Sequence, residues 1–210
     1  MDILQEISRY LQSGEDKQVL ALTEQALDLN LSPGRILQDG LIRGMAVVGD
    51  QFKNHEIFLP DVLLAAKAMT GAMERLKPLL IGDETPLLGK VVIGTVRGDL
   101  HDIGKNLVGI MLRGAGFDVI DLGRDVPPEK FVATAAAEKA QVVGMSALLT
   151  TTMPVMKQVV DMLRAEGLTH VRTVIGGAPV SAEYAREIGA DDYGYDAGSA
   201  VEKIRQLVED

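Results

Sequence analysis

The sequence contains no cysteine. Disulfide bonds and thiolate metal sites are therefore excluded, so any metal ligand must be a histidine, a carboxylate or an atom of a cofactor. The sequence also lacks any run of about 18 uninterrupted apolar residues, the length of a membrane-spanning helix. Its first residues show no basic region followed by an apolar segment, so we expect no signal peptide and a cytoplasmic protein.

Basic residues are outnumbered, because the chain has 21 Lys and Arg against 30 Asp and Glu and a net charge of −9. This charge argues against nucleic acid or an anionic membrane as the main partner. Hydrophobic residues make up 47% of the chain and charged residues 24%, which is typical of a soluble globular protein. The length of 210 residues suits one large domain or two small ones.

Residues 1–88 are predicted to form a helical domain. Apolar residues recur at helical spacing in four stretches with short connections, which indicates an antiparallel four-helix bundle. Ser32 and Pro33 are expected to start the third helix as its N-cap and first-turn proline. Three glycines recur along that helix and predict close helix packing: Gly40, Gly44 and Gly49. The run Gly82–Pro86 is the predicted linker.

Residues 89–210 alternate between apolar runs and helical patterns, which predicts a parallel α/β sheet. The predicted strands lie near residues 91–96, 118–122, 142–146, 173–175 and, more weakly, 192–195, with a last helix near 199–208. Five such units suit the flavodoxin-like, Rossmann-like strand order 2-1-3-4-5. In that order the sheet binds ligands at its carboxyl edge, where strands 1 and 3 are neighbours.

The loop Gly98–Gly104 follows the first predicted strand and leads into a helix. It carries His101 between Asp99 and Asp102, which suggests a metal ligand whose far ring nitrogen is held by a carboxylate. A solvated loop histidine is the simpler alternative. A phosphate-binding loop is set aside, because it needs four residues between its glycines and then Lys-Ser/Thr. This loop has five, and Asn106 follows Lys105.

Two further loops end at the same predicted edge. Ser146–Pro154 follows strand 3 and is rich in hydroxyl groups, although Thr152 could simply cap the next helix. Gly176 and Gly177 follow strand 4, where paired glycines allow a flat ligand to approach the backbone or merely form a turn. A ligand at this edge would contact all three loops.

These three segments resemble the cobalamin-binding module of methionine synthase and of the corrinoid proteins of one-carbon methyltransferase systems. The family pattern is Asp-x-His-x-x-Gly, then Ser-x-Leu, then Gly-Gly. It is matched by Asp99–Gly104, Ser146–Leu148 and Gly176–Gly177. Val48–Phe52 and Ile57–Pro60 resemble the family's helical cap, so the resemblance covers nearly the whole chain. It implies a helical cap followed by a Rossmann-like cobalamin-binding domain.

The resemblance also implies residue roles. His101 would be the lower axial ligand of cobalt, displacing the dimethylbenzimidazole base of the cofactor (base-off, His-on). Asp99 would accept a hydrogen bond from its other ring nitrogen, and Thr152 stands where methionine synthase has the serine that ends this relay.

Other positions would contact the cofactor. The nucleotide tail would lie in a groove between the strand 1 and strand 3 sides. The remaining implied contacts are Gly98, Leu100, Asp102, Ile103 and Gly104 in the histidine loop, Ser146, Leu148, Gly176 and Gly177 along the tail, Thr150 near the cofactor, Ala197 near the buried base, and Phe52 and Leu59 over the upper face of the corrin.

The family implies a methyl carrier that is not catalytic alone. Its partners would be a substrate-specific methyltransferase and a second methyltransferase that uses tetrahydrofolate or a thiol, with a reductive activase as a further candidate. Methanol, methylamines and aryl methyl ethers stay open as methyl donors. The alternative is a cobalamin-binding regulator or photoreceptor, which would need an output element such as a DNA-binding helix pair. A radical mutase domain lacks the helical cap, and a phosphorylation receiver needs an aspartate where Ser146 stands.

Overall fold

The computed structural model describes residues 2–76, 78–80 and 88–209. They divide into two compact units, one made of Met1–Pro86 with Gly114–Gly116 and the other of Leu87–Arg113 with Phe117–Asp210. The predicted linker Gly82–Pro86 lies outside the described residues, so the domain boundary after residue 88 stays a prediction. Among the described helices, none combines the length and the apolar character needed to cross a membrane.

The first unit is helical. Its elements are α1 (Ile3–Gln12), α2 (Asp16–Asp28), α3 (Pro33–Arg35), a π-helical segment (Ile36–Ile42), α4 (Arg43–Lys53) and α5 (Leu59–Leu76). The predicted third helix is therefore a short α-helical turn, a π-helical segment and α4 in succession. Its predicted cap is confirmed, because the Ser32 hydroxyl accepts a hydrogen bond of 3.3 Å from the Arg35 amide.

Glycines let α1 pack closely against the third helix of this unit. A Cβ atom on Gly40 would lie 3.1 Å from Cγ2 of Ile7, and one on Gly44 would lie 3.0 Å from the carbonyl oxygen of Ser8. The predicted close packing is confirmed at these two positions. Fully buried side chains from these helices form the core: Ile7, Leu11, Ile36, Leu41, Val48, Val62 and Leu76.

The second unit contains a parallel sheet whose described strands follow the order β2-β1-β3-β4-β5. The strands are β1 (Lys90–Thr95), β2 (Asp118–Asp121), β3 (Val142–Ser146), β4 (Arg172–Gly176) and β5 (Asp192–Gly194). The helices are α6 (Ile103–Gly114), α7 (Pro128–Glu138), α8 (Pro154–Ala165), α9 (Ala182–Ile188) and α10 (Ala197–Glu209). The predicted fold class and strand order are confirmed.

The interior position of β1 in the sheet is consistent with its sequence. Val91, Val92 and Ile93 are all buried, as expected of a continuous apolar run in a parallel sheet covered on both faces. Its neighbour on one side is β3, so the loops that follow β1 and β3 leave the sheet side by side. The Val96 amide donates a hydrogen bond of 3.0 Å to the Ser146 carbonyl, which fixes the two loops together where they begin.

Candidate functional site

Asp99 joins the loops that follow β1 and β3. Its side chain is completely buried. Oδ1 accepts hydrogen bonds from the His101 amide at 3.0 Å and from His101 Nδ1 at 2.8 Å. Oδ2 accepts from the Leu148 amide at 2.7 Å, the Leu149 amide at 3.1 Å and the Thr152 hydroxyl at 2.9 Å. One carboxylate therefore organises donors from two loops.

These donors keep Asp99 ionised. Burial alone would raise the pKa of a carboxyl group, because it penalises the charged form. The hydrogen bonds from the His101 amide, the Leu148 amide, the imidazole and the Thr152 hydroxyl outweigh burial and hold the pKa of Asp99 far below its usual range. The site thus presents a fixed negative charge behind the imidazole.

The hydrogen bond to Asp99 also sets the chemistry of His101. Since the carboxylate is ionised, Nδ1 carries the proton, and the lone pair of the neutral ring is on Nε2. The side chain is 53% exposed. Within the described part of the chain, Nε2 has no hydrogen-bond partner. Nε2 is therefore available to a ligand or a metal approaching from outside.

The donor set suits a metal whose other positions are filled by a cofactor. Across residues 2–76, 78–80 and 88–209, no group of three or more His, Asp or Glu side chains could hold a metal ion. A single imidazole backed by a carboxylate is instead how proteins supply an axial ligand to a metal macrocycle, and hydrogen bonding to that imidazole tunes the metal.

Thr152 belongs to this network rather than to a helix cap. Helix α8 begins at Pro154 after Met153, with no side-chain cap, so the simpler alternative for Thr152 is wrong. The hydroxyl lies 2.9 Å from Asp99 Oδ2 and 2.8 Å from the Leu149 carbonyl oxygen. The hydroxyl has one proton, which it can donate to either the Asp99 carboxylate or the Leu149 carbonyl. The imidazole of His101, the carboxylate of Asp99 and the hydroxyl of Thr152 thus form a series with Thr152 at its outer end.

A cavity of about 340 Å³ opens on one face of the sheet, between the strands and helices α6 and α10. This volume is in the range of small-molecule sites, roughly 300–1,000 Å³. Five of the predicted cofactor residues line it: Gly104, Ser146, Gly176, Gly177 and Ala197. The groove predicted between the strand 1 and strand 3 sides therefore extends across β4 to Gly194 in β5.

The two glycines after β4 differ in what they require. Gly177 has φ of +126°, and a Cβ atom there would collide with the carbonyl oxygen of Ala147, so the turn itself needs glycine. A Cβ atom on Gly176 would lie 3.1 Å from the carbonyl oxygen of Gly194. Both glycines therefore allow β4 and its following turn to lie close to neighbouring backbone at the wall of the cavity.

Other predicted residues lie outside this cavity. Leu100, Ile103 and Leu148 are 60%, 75% and 42% exposed, so three apolar side chains on the loops that follow β1 and β3 face solvent. Gly98 and Thr150 are also exposed, and Asp102 is half-buried. Phe52 in α4 and Leu59 at the start of α5 belong to the helical unit, where both are half-buried.

The structure adds residues that the sequence patterns did not indicate. Lys105 lines the cavity with its side chain 4% exposed, and its ammonium group lies 2.7 Å and 2.5 Å from the two carboxylate oxygens of Asp121 in β2. Asp125, in the turn after β2, accepts a hydrogen bond of 2.7 Å from the Gly98 amide and so supports the histidine loop. Gly194 could have been noticed, because glycine inside a strand often marks a close backbone approach.

Known proteins are similar to this chain over nearly its whole length. A B12 binding domain family matches residues 89–204, and a second B12 binding domain family matches residues 3–77. Dimethylamine corrinoid protein 1 of Methanosarcina acetivorans is 44% identical over 209 residues, covering 99% of this chain and 98% of that protein. Trimethylamine corrinoid protein 1 of the same organism is 45% identical over 190 residues, covering 89% of this chain and 88% of that protein.

A solved structure agrees with both the sequence and the fold. The methanol:cobalamin methyltransferase complex MtaBC from Methanosarcina barkeri contains a chain that superposes with a TM-score of 0.91 and 33% identity. The match covers 99% of this chain and 80% of that one.

Proposed function

The chain belongs to the family of B12-binding corrinoid proteins, and from this we propose that it carries methyl groups between two methyltransferases of a methylamine-using system. The relatives at 44% and 45% identity are a dimethylamine corrinoid protein and a trimethylamine corrinoid protein, whereas the matching chain of the methanol:cobalamin methyltransferase complex is 33% identical. This difference favours a methylamine over methanol as the methyl donor. Bound cobalamin would supply the cobalt to which the methyl group is attached.

One observation carries the proposal for the metal ligand, namely the hydrogen bond of 2.8 Å between His101 Nδ1 and the ionised Asp99. It fixes the tautomer that leaves Nε2 free and raises the basicity of that nitrogen, which favours base-off, His-on binding of cobalt. Thr152 would hold the second carboxylate oxygen in place while the imidazole binds or leaves the metal.

The remaining residues would position the cofactor. Gly104, Ser146, Gly176, Gly177 and Ala197 line the cavity that would receive its nucleotide tail. The exposed apolar side chains of Leu100, Ile103 and Leu148 would contact the corrin ring. Phe52 and Leu59 of the helical unit would cover the upper face and restrict access of water to the bound methyl group.

Three partners follow from this role. A methylamine-specific methyltransferase would load the carrier, and a second methyltransferase would unload it onto tetrahydrofolate or a thiol. A reductive activase would restore carriers whose cobalt has become oxidised.

The metal ligand can be tested by electron paramagnetic resonance of the Co(II) form. Protein uniformly labelled with ¹⁵N and reconstituted with unlabelled cobalamin should give doublet superhyperfine splitting from a protein nitrogen, because ¹⁵N has spin one-half. His101→Ala should lose the doublet, and His170→Ala, a change at an exposed histidine before β4, should keep it. A doublet that persists in His101→Ala would exclude His101 as the ligand.

The methyl donor can be tested by loading. Reduced holoprotein is mixed with a purified dimethylamine, trimethylamine or methanol methyltransferase and its methyl donor, and methylation of the cofactor is followed in the visible spectrum. We expect fast loading with one of the methylamine enzymes. Loading by the methanol enzyme alone would contradict the proposed donor class.

A further inference from the structure

We propose that the cavity beside α6 and α10 selects the base at the end of the cofactor's nucleotide tail, accepting a benzimidazole and discriminating against a purine. The inference rests on the proposed function, because it takes this cavity as the site of the tail. It concerns which corrinoid the chain accepts, since corrinoids share the ring and the cobalt but differ in this base.

Apolar side chains line the cavity from the sheet and from both helices. Ile93 and Val174 contribute from the sheet, Leu107 and Val108 from α6, and Ala200 and Ile204 from α10. Four of the lining residues carry a polar side-chain group: Lys105, Ser146, Tyr195 and Asp196. What the cavity can recognise depends on which of these four groups is free.

The ammonium group of Lys105 already donates all of its hydrogen bonds within the protein. An ammonium group has three hydrogens to donate. Those of Lys105 have acceptors in the two carboxylate oxygens of Asp121, at 2.7 Å and 2.5 Å, and in Asn106 Oδ1 at 2.6 Å. A ring nitrogen of a bound base would have to displace one of these oxygens, so the buried cation offers no additional donor.

The polar groups of Tyr195 and Asp196 are on exposed residues. Asp196 Oδ1 accepts a hydrogen bond of 2.7 Å from the Ser199 amide and so caps the start of α10. Tyr195 is 82% exposed, so its hydroxyl can stay in water. Ser146 remains, and its hydroxyl has no partner among the residues that the structure describes. Ser146 therefore provides the one unpaired side-chain hydroxyl on a lining residue that is not exposed to solvent.

The two classes of base differ in what they need. A benzimidazole attached through one ring nitrogen has a single remaining acceptor nitrogen, and its other edges are apolar. An attached adenine has three ring acceptors and an amino group that donates. One hydroxyl can satisfy the benzimidazole but leaves most of the polar atoms of adenine unpaired in an apolar cavity, where each unpaired group lowers affinity. We expect the purine form to bind at least tenfold more weakly.

The test is an equilibrium titration of the apoprotein with three corrinoids, in which calorimetry measures the Kd of each. They are cobalamin, pseudocobalamin, which carries adenine, and cobinamide, which has no nucleotide tail. We expect cobalamin to bind most tightly and the other two at least tenfold less tightly. Equal Kd values for cobalamin and pseudocobalamin would overturn the selectivity, and equal Kd values for cobalamin and cobinamide would overturn the assignment of the cavity to the tail. Failure of all three to bind would instead overturn the proposed function.

A variant pair separates the cavity from the intrinsic properties of the cofactors. Val174→Thr adds a hydroxyl to the cavity without changing the shape of the side chain, and Val143→Thr adds one to the core on the opposite face of the sheet. The tendency of each free corrinoid to release its base from cobalt is the same for every variant, so it cancels when Kd ratios are compared. We expect the ratio of pseudocobalamin to cobalamin Kd to fall severalfold in Val174→Thr and to stay constant in Val143→Thr.

Val108→Thr makes the same addition from α6 and serves if the change in β4 prevents folding. A ratio that stays at its wild-type value in the variants that fold would overturn the proposal that the apolar lining sets the selectivity.

Discussion

Replacing Asp99 with asparagine would change the charge of this residue and half of its hydrogen-bonding capacity, but not its shape. The carboxylate accepts two donors from His101 at Oδ1 and three donors from the loop after β3 at Oδ2. An asparagine has one acceptor oxygen and one amino group that only donates. Whichever way the amide is turned, its amino group faces backbone amides that also donate.

The two orientations have different consequences. With the amino group at the Oδ2 position, the Leu148 and Leu149 amides lose their acceptor. With the amino group at the Oδ1 position, the His101 amide loses its acceptor, and Nδ1 must accept a hydrogen bond, which moves the ring proton to Nε2 and blocks that nitrogen as a ligand. Two partly buried donors are unpaired in the first orientation and one in the second.

The expected loss follows from those donors. Leaving a buried donor without its acceptor costs about 1–3 kcal/mol, and the amide adopts the orientation that costs less, so we expect the unfolding free energy of the apoprotein to fall by about 1–3 kcal/mol in Asp99→Asn. Urea unfolding at neutral pH measures this change. The same variant, reconstituted with cobalamin, should bind cobalt through His101 more weakly than the wild type does, as read from the nitrogen splitting of its Co(II) form.

The matched control is Asp102→Asn, which makes the same change in the same loop at a half-buried residue that is not part of the Asp99 network. We expect its unfolding free energy to stay within about 0.5 kcal/mol of the wild type. If Asp99→Asn were as stable as this control and kept its cobalt–histidine bond, the Asp99 carboxylate would not organise the site as argued here.

Two further predictions concern the backbone of the site and the helical unit. Gly177→Ala should lower the unfolding free energy by about 3 kcal/mol or more, because a left-handed φ and a collision with the Ala147 carbonyl act together. Gly167→Ala, with φ of +74° and open space around it, should cost only about 1 kcal/mol, and equal losses in urea unfolding would contradict the collision. Phe52→Ala should leave cobalamin affinity nearly unchanged but speed the photolysis of the methylated cofactor in air. Phe58→Ala, at a ring that is 70% exposed, should not speed photolysis, and unchanged photostability in Phe52→Ala would mean that Phe52 does not cover the cofactor.

The sheet could be predicted from the sequence because its strands are short apolar runs bounded by polar residues. Strand β3 begins and ends at the predicted residues, Val142 and Ser146, and the strand order follows from five strands that alternate with helices. The π-helical segment Ile36–Ile42 was not predicted. Its apolar residues fit an ordinary helical stripe over so short a length, so the hydrophobic pattern alone does not distinguish the two kinds of helix.

The candidate site was predicted in part. The position of His101 after a buried strand indicates a residue at the ligand-binding edge, and the neighbouring carboxylate indicates its partner. The amides of Leu148 and Leu149 could not be predicted as donors to Asp99, because they lie 49 and 50 residues further along the chain and donate through backbone rather than side-chain atoms. The pairing of Lys105 with Asp121 likewise depends on β2 lying beside β1, and no local pattern marks it.

These long-range contacts explain why the histidine loop is suited to hold a metal ligand. A loop of this kind is normally the mobile part of an α/β sheet. Here Asp99 is buried and fixed by two amides and a hydroxyl from the neighbouring loop, and Asp125 holds the Gly98 amide from the other side. The imidazole is therefore oriented before any cofactor arrives, and the free energy of ordering it belongs to folding rather than to binding. The same arrangement makes Asp99 a residue whose loss should weaken the fold and the metal ligand together.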